Sequence, residues 1–318
     1  MRRMPLPACL VLAVAPLSAA AAEVCDLPPR YGLSPTAIAV VRAACNEHRL
    51  WHRPFIDRQG RAARLDVTEA ESADLADQGL VAWQRVAGYW RESGTLSALD
   101  DLPGARSCQA PLGSRYLESD CRAFLLDNPW SAAFVSWVMG RAGVAGFARS
   151  PRHIDYIRQA FDSRPGAPYR LDDPATGKPA PGDLLCFLRG GDVPRGHAGL
   201  RQALADNRAA HWKTHCEIVV AANVGGDRTL YLIGGNVLNA VTLRMLPLDR
   251  SGRLEPPQAP ATGEGETAAW QPGCTPAREA ECDFNRRDWA ALLKLQVLPA
   301  PTMSPPPPGT GEGLPPSR

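Results

Sequence analysis

The stretch Asn128-Pro129-Trp130-Ser131-Ala132-Ala133-Phe134-Val135-Ser136-Trp137 decides how this chain is read. Asn128 is a helix-capping residue, and Pro129 suits a first helical position because its missing N–H costs nothing there. The apolar residues Trp130, Phe134, Trp137 and Val138 then recur at helical spacing until Gly143 stops the pattern. This reading puts Ser131 at the third helical position, beside unpaired N–H groups and the positive end of the helix dipole. Such a location suits a nucleophile that must carry negative charge.

Downstream the period changes from helical to alternating. Gly182-Asp183-Leu184-Leu185-Cys186-Phe187-Leu188 reads as a strand, and residues 215–221 and 228–233 read as a hairpin around Gly225-Gly226-Asp227. Residues 240–246 make a further strand. His215 opens the first arm of the hairpin, and Asn236 follows Gly234-Gly235 at the end of the second. That pairing sets Asn236 one strand from His215, where an amide can hold an imidazole in one tautomer. Nucleophile, base and orienting residue are then expected where the helix tip meets the sheet.

Magnitudes limit what the helix tip can do. A helix terminus contributes about 0.3–1 kcal/mol, less than one pKa unit at about 1.36 kcal/mol per unit. That helps a thiol, whose pKa starts near about 8.5. It does not ionise a serine hydroxyl, so Ser131 depends on proton removal by His215 in the transition state and on a good oxyanion hole. Each residue also has a structural role open to it. Ser131 is a favourable early-helix residue, His215 suits a strand entrance, and Asn236 suits a turn. Two other histidines compete with His215. Arg195-Gly196-His197-Ala198-Gly199 is followed by a polar, helix-like segment instead of a strand, and His153 lies at the start of a second helix, where it could cap the helix or line the same cleft.

The helices come first. Residues 35–44 form a short helical stretch, and Thr68-Glu69-Ala70-Glu71 has the form of a capping box. It is expected to open a helix carrying Leu75, Leu80, Trp83, Val86, Ala87 and Trp90. Residues 99–120 read as turns. A second helix, capped by Ser150, carries Ile154, Ile157 and Phe161. Residues 288–297 are expected to form a closing helix. Helices followed by antiparallel strands make an α+β domain. The aromatic set Trp83, Tyr89, Trp90, Trp130 and Trp137 belongs to the core, with Trp130 also a candidate to stack on a sugar ring at the cleft rim.

The amino terminus has the form of a secretory signal: Arg2 and Arg3, an apolar run over residues 6–17, and small residues to a cleavage point near Ala22. The run is too short to span a bilayer, and no later segment reaches the roughly 20 apolar residues of a membrane helix. The expected divisions are signal 1–22, N-terminal extension 23–67, α+β domain 68–298 and a disordered Pro-rich tail 299–318. Formal charge is +2, and loss of Arg2 and Arg3 leaves 33 basic against 33 acidic side chains. Neither nucleic acid nor an anionic membrane is an expected partner. Of nine cysteines, Cys9 leaves with the signal. The remaining eight form an even set, as expected for disulfides in an exported chain. Cys25/Cys45, Cys108/Cys121 and Cys274/Cys282 are local candidates; Cys186 and Cys216 sit in two strands and are either bridged or simply buried. No Cys-x-x-Cys or His-x-x-x-His spacing calls for zinc, and nothing calls for a cofactor.

At residues 129–139, 150–157, 182–187, 215–220 and 233–237 the chain resembles a bacterial family, domain of unknown function 2272. The matching segments are PWSAAFVSWVM, SPRHIDYI, GDLLCF, HCEIVV and IGGNV, and the resemblance covers roughly residues 68–298. More distantly, PW-S-AAF, GDLL and GGN look like the NlpC-type and CHAP-type papain-like peptidases and amidases of cell walls, in which the first motif reads PWC. That resemblance implies a papain-like domain with helices packed on a small antiparallel sheet. It also maps nucleophile, base and third polar residue to Ser131, His215 and Asn236. The implied function is an exported hydrolase of peptidoglycan or a related amide or ester. The alternative is a module that keeps the cleft without the cysteine and binds the cell wall or an envelope protein.

Overall fold

Apolar residues on both phases of a strand need cover on both faces, and the second half of this chain has several such strands. The computed structural model describes residues 23–109, 114–190, 195–255 and 274–296. The expected signal and the Pro-rich tail lie outside the described residues. Along the chain come α1 (Pro35–Leu50), β1 (Phe55–Ile56), β2 (Ala62–Ala63), α2 (Ala82–Ser93), α3 (Ala105–Gln109) and α4 (Arg115–Asp127). There follow α5 (Ser131–Arg141), α6 (His153–Asp162), β3 (Tyr169–Asp172), β4 (Leu184–Arg189), α7 (Gly196–Ala205), β5 (Lys213–Ala222), β6 (Thr229–Val237), β7 (Ala240–Pro247) and β8 (Asp288–Leu295). The fold is α+β. Its described part has seven α-helices and one eight-stranded sheet of order β2-β1-β7-β6-β5-β4-β8-β3, antiparallel except where β1 joins β7.

The pleat sorts side chains into two cores. Cys186, Cys216, Ile218 and Ile233 belong to the main cluster with Trp90, Trp130, Phe134 and Ile157 from the helices. Leu185, Val219, Leu232 and Trp289 fill a second cluster. Trp83, Tyr89, Trp90, Trp130 and Trp137 are all buried, as expected of core aromatics.

All eight described cysteines pair. Cys25–Cys45 ties the start of the described chain to α1, Cys108–Cys121 joins α3 to α4, and Cys274–Cys282 closes a local loop. Cys186 and Cys216 face each other across β4 and β5 with Cα atoms 4.0 Å apart and are also bridged. Four disulfides fit an oxidising compartment and hence an exported protein. Among the described residues no helix is long and apolar enough to cross a membrane.

Several elements differ from the sequence reading. No helix starts at Thr68. The Thr68 Oγ1 bonds to Glu71 Oε1 at 2.8 Å, Asp77 Oδ1 accepts from Gly79 N–H at 3.0 Å, and the helix opens only at Ala82. Short polar side chains that bond nearby backbone compete with helix formation, as Asp77 does here. Residues 99–120, read as turns, contain α3 and the start of α4. Residues 288–295 form a strand, β8, because Trp289–Leu293 is buried between β4 and β3 on both phases. A short apolar run does not declare its period.

The start of α5 also shifts. Asn128 ends α4, with extended backbone (φ −122°, ψ 110°) and its Nδ2 donating to Phe124 O at 2.9 Å. The following proline disfavours helical geometry at that position. Trp130 is the N-cap and Ser131 the first helical residue, not the third.

Candidate active site

Three anchors fix the tip of α5. The Trp130 indole lies parallel to Trp51 and Tyr89 at centroid distances of 5.8 and 5.4 Å, and its Nε1 donates to Glu69 Oε2 at 2.6 Å. Asn236 sits at the irregular end of β6 with φ 53°, a left-handed conformation that asparagine tolerates. Oriented to satisfy both neighbours, its amide donates to Glu69 Oε2 at 3.0 Å and accepts from the Trp130 N–H at 3.2 Å. Beside it, a Cβ on Gly235 would meet the Phe134 side chain at 2.5 Å, so only glycine lets β6 approach α5 this closely. Asn236 therefore holds the helix entrance. It was expected to orient a histidine, and instead it supplies the acceptor for an N–H that the helix leaves unpaired.

Ser131 projects from this anchored tip. Its Oγ lies 2.7 Å from His153 Nε2, and the other ring nitrogen, Nδ1, is hydrogen-bonded to the Tyr156 hydroxyl. His153 opens α6, and Tyr156 stands three residues on, on the same helical face. The loop before α6 is tied to α5 through Ser136, whose Oγ donates to Ser150 O at 3.0 Å and accepts from Ser150 N–H at 3.1 Å. With Nδ1–H donating to Tyr156, Nε2 carries the lone pair that can accept the serine proton. Burial, then His215, then Arg189 hold the His153 pKa well below the usual imidazole value, so the ring is neutral at neutral pH. Burial raises the Tyr156 pKa well above the usual phenol value and keeps that group protonated.

His215, placed by chain order as the base, lies one ring further in. Its centroid is 5.1 Å from that of His153 and 5.0 Å from that of Phe187, its partner across β4. Its Nε2 is 3.5 Å from Glu217 Oε1 and has no hydrogen bond among the described residues. Burial lowers its pKa, against the opposing pull of Glu217. Glu217 is itself fully buried. Burial opposes its ionisation, but Arg244 and His215 outweigh it and bring its pKa down to about 2. Arg244 Nε contacts both Glu217 oxygens at 3.0 and 2.9 Å, and its Nη1 donates to Phe284 O at 2.7 Å and Asn285 Oδ1 at 3.1 Å. The structure thus brings Ser131 to His153, with His215 behind it, while Asn236 serves the helix.

The remaining expected residues fall elsewhere. Trp130 is fully buried and offers no face to a sugar ring, because its stacking partners and Glu69 enclose it. His197, on α7, bonds through Nδ1 to Ala290 O at 2.8 Å. The disulfide of Cys186 and Cys216 leaves neither as a free thiol. Glu69, Tyr156, Glu217 and Arg244 were not singled out from the sequence. Two of them carry a signal there: Glu217 follows His215 by two strand positions, and Tyr156 follows His153 by three helical ones.

The site is enclosed, with Ser131 5%, His153 4% and His215 2% exposed. Among the described residues no group of three or more His, Cys, Asp or Glu side chains could hold a metal ion.

A family model described as "Uncharacterized protein conserved in bacteria (DUF2272)" matches residues 77–295, which run from just before α2 to the end of β8. No curated protein and no solved structure matches the chain. The match takes in Ser131, His153, His215 and Asn236 and more than half of the sequence, and the chain belongs to the DUF2272 family.

Proposed function

We propose that this chain is an exported papain-like α+β hydrolase acting on peptidoglycan or a related amide or ester, with Ser131 as nucleophile and His153 as its base. The observation that carries the reading is the 2.7 Å contact between Ser131 Oγ and His153 Nε2 at the tip of an anchored helix. As Oγ attacks the carbonyl carbon, its proton passes to His153 Nε2, and the carbonyl oxygen takes up the charge. N–H groups of the first turn of α5 have no intrahelical partner and are the local donors for that oxyanion. The protonated His153 then gives its proton to the leaving amine or alcohol. Water, deprotonated by the same ring, releases the acyl group from Ser131. The papain-like assignment is supported by the order of elements, a helix tip carrying the nucleophile ahead of an antiparallel sheet. His215 and Glu217 take the position behind the base.

Ser131, where the resembled hydrolases carry cysteine, supports a second reading, a module that binds cell-wall peptide or an envelope protein without cleaving it. Digestion of purified sacculi separates the two, with the mature protein compared with Ser131→Ala and Ser131→Cys and fragments read by mass spectrometry. Fragments from the wild type that vanish with alanine support the serine hydrolase and name the bond. Silence from the wild type with cleavage by the cysteine variant supports the binding module. Silence from all three removes peptidoglycan as a substrate.

A further inference from the structure

Helix α1 carries two stripes. Val40 and Ala44 lie in the main core, while Ile38, Val41 and Cys45, the last also buried in that core, recur at helical spacing along an adjoining face with Arg42, Asn46 and Arg49. That second face is only partly covered, with Ile38 and Val41 half-buried and Arg42 and Asn46 exposed. It lines a cavity of about 500 Å³ together with Pro181 and the end of β5 at Val220–Ala222. The segment 24–33, a strap carrying Leu27, Pro28, Pro29 and Leu33, lines the cavity as well. One end of the strap is fixed by the Cys25–Cys45 disulfide, and further along Arg30 Nη1 donates to Ala222 O at 3.3 Å. The volume falls within the range of about 300–1,000 Å³ typical of small-molecule sites.

The charge on this cavity has one sign to spare. Arg49 is paired with Asp26, but Arg30 and Arg42 have no carboxylate within ion-pair distance among the described residues. Apolar side chains remain incompletely covered here, with Ile38 and Val41 half-buried and Leu27 36% exposed. A ligand that satisfies this lining has an apolar chain for the wall between α1 and β5 and an anionic head for the two arginines.

We propose that this cavity is a binding site for a single-chain anionic amphiphile, a straight-chain fatty acid, with its carboxylate on Arg30 and Arg42 and its chain along Ile38, Val41 and Val220. The site is separate from the Ser131–His153 pair and does not rest on the proposed hydrolase activity.

Titration calorimetry of the mature protein with octanoate, decanoate and dodecanoate tests the site. Affinity is expected to rise by about fourfold for each methylene buried. Dodecyltrimethylammonium, with the same chain and the opposite charge, is expected to bind about tenfold more weakly or worse. Ala221→Phe, which fills the cavity, should abolish dodecanoate binding, and Arg30→Glu with Arg42→Glu should reverse the preference for the anionic head. Two results would overturn the proposal: equal affinity for cationic and anionic chains, or unchanged dodecanoate binding by Ala221→Phe with unaltered circular dichroism. The wild-type ligand series decides the matter even if a variant fails to fold.

Discussion

Ser131 and His153 are the first residues of two consecutive helices, α5 and α6, and their side chains meet at 2.7 Å in an interior that excludes nearly all solvent. The chain between them is tied back to α5 through the two hydrogen bonds of Ser136 to Ser150. The contact is therefore built by local structure, over 22 residues, and not by the long reach from α5 to β5.

On the proposed function, His153→Asn lowers kcat/KM by about a thousandfold or more, in line with loss of a serine enzyme's base. His215→Asn lowers it by no more than about tenfold, below the ~10²–10⁴ expected of a general base. Initial rates on the fragment-releasing substrate check both. A larger loss at His215 would restore it as the base.

Asn236 bridges the Glu69 carboxylate and the Trp130 N–H. Asn236→Ala leaves both groups buried and one partner short, and is expected to destabilise the fold by about 1–3 kcal/mol. Urea unfolding followed by tryptophan fluorescence measures it. A change below about 0.5 kcal/mol would mean that water replaces the amide.

The Glu217–Arg244 pair is almost fully buried, so loss of one partner and loss of both should differ in kind when each is compared with the wild type. Arg244→Met strands a buried carboxylate and costs about 3–5 kcal/mol, whereas Arg244→Met with Glu217→Leu recovers most of that loss. Denaturant midpoints of the three proteins give the comparison. A double variant as unstable as the single would show that the pair stabilises the fold outright.

The legible part of this protein was its β-hairpin and the helix around Ser131, since Asn128-Pro129, Gly225-Gly226 and the alternation from His215 carry their own signals. The helix register was not legible to the residue. Asn128 satisfies the end of α4 as well as it would the start of α5, and only packing decides between them. The role of His153 was hidden for a similar reason. A histidine at a helix start is an ordinary capping residue, and its contact with Ser131 depends on the angle between two helices. Strand β8 was hidden because Trp289-Ala290-Ala291-Leu292-Leu293 is apolar on every phase. Asn236 was recognised as a site residue, but sequence order suggested a histidine partner where the fold supplies Trp130 and Glu69.

His48 gives the fold a measurable pH dependence. Its Nε2 is bonded to Pro54 O at 2.9 Å, it is 2% exposed, and burial brings its pKa down to about 4. The unfolded chain then binds a proton on this residue between about pH 6.5 and pH 4 that the native chain does not, so stability falls as pH drops through that window. The loss amounts to about 3 kcal/mol at most. Comparing wild type with His48→Gln isolates this group from Glu69, Asp183 and Asp288, whose raised pKa values act in the opposite sense. The wild-type minus variant difference in unfolding free energy should shrink as pH falls from 6.5 to 4. A constant difference would show that His48 titrates normally.

The pairing of Ser131 with His153 is tested most directly by covalent labelling. Mature protein is treated with a fluorophosphonate, digested, and the modified peptide identified by mass spectrometry, with His153→Asn and His215→Asn run beside it. A label on Ser131 is expected in the wild type, with near-complete loss in His153→Asn and retention in His215→Asn. Absence of label from Ser131 in the wild type, or labelling that survives in His153→Asn, would contradict the pairing.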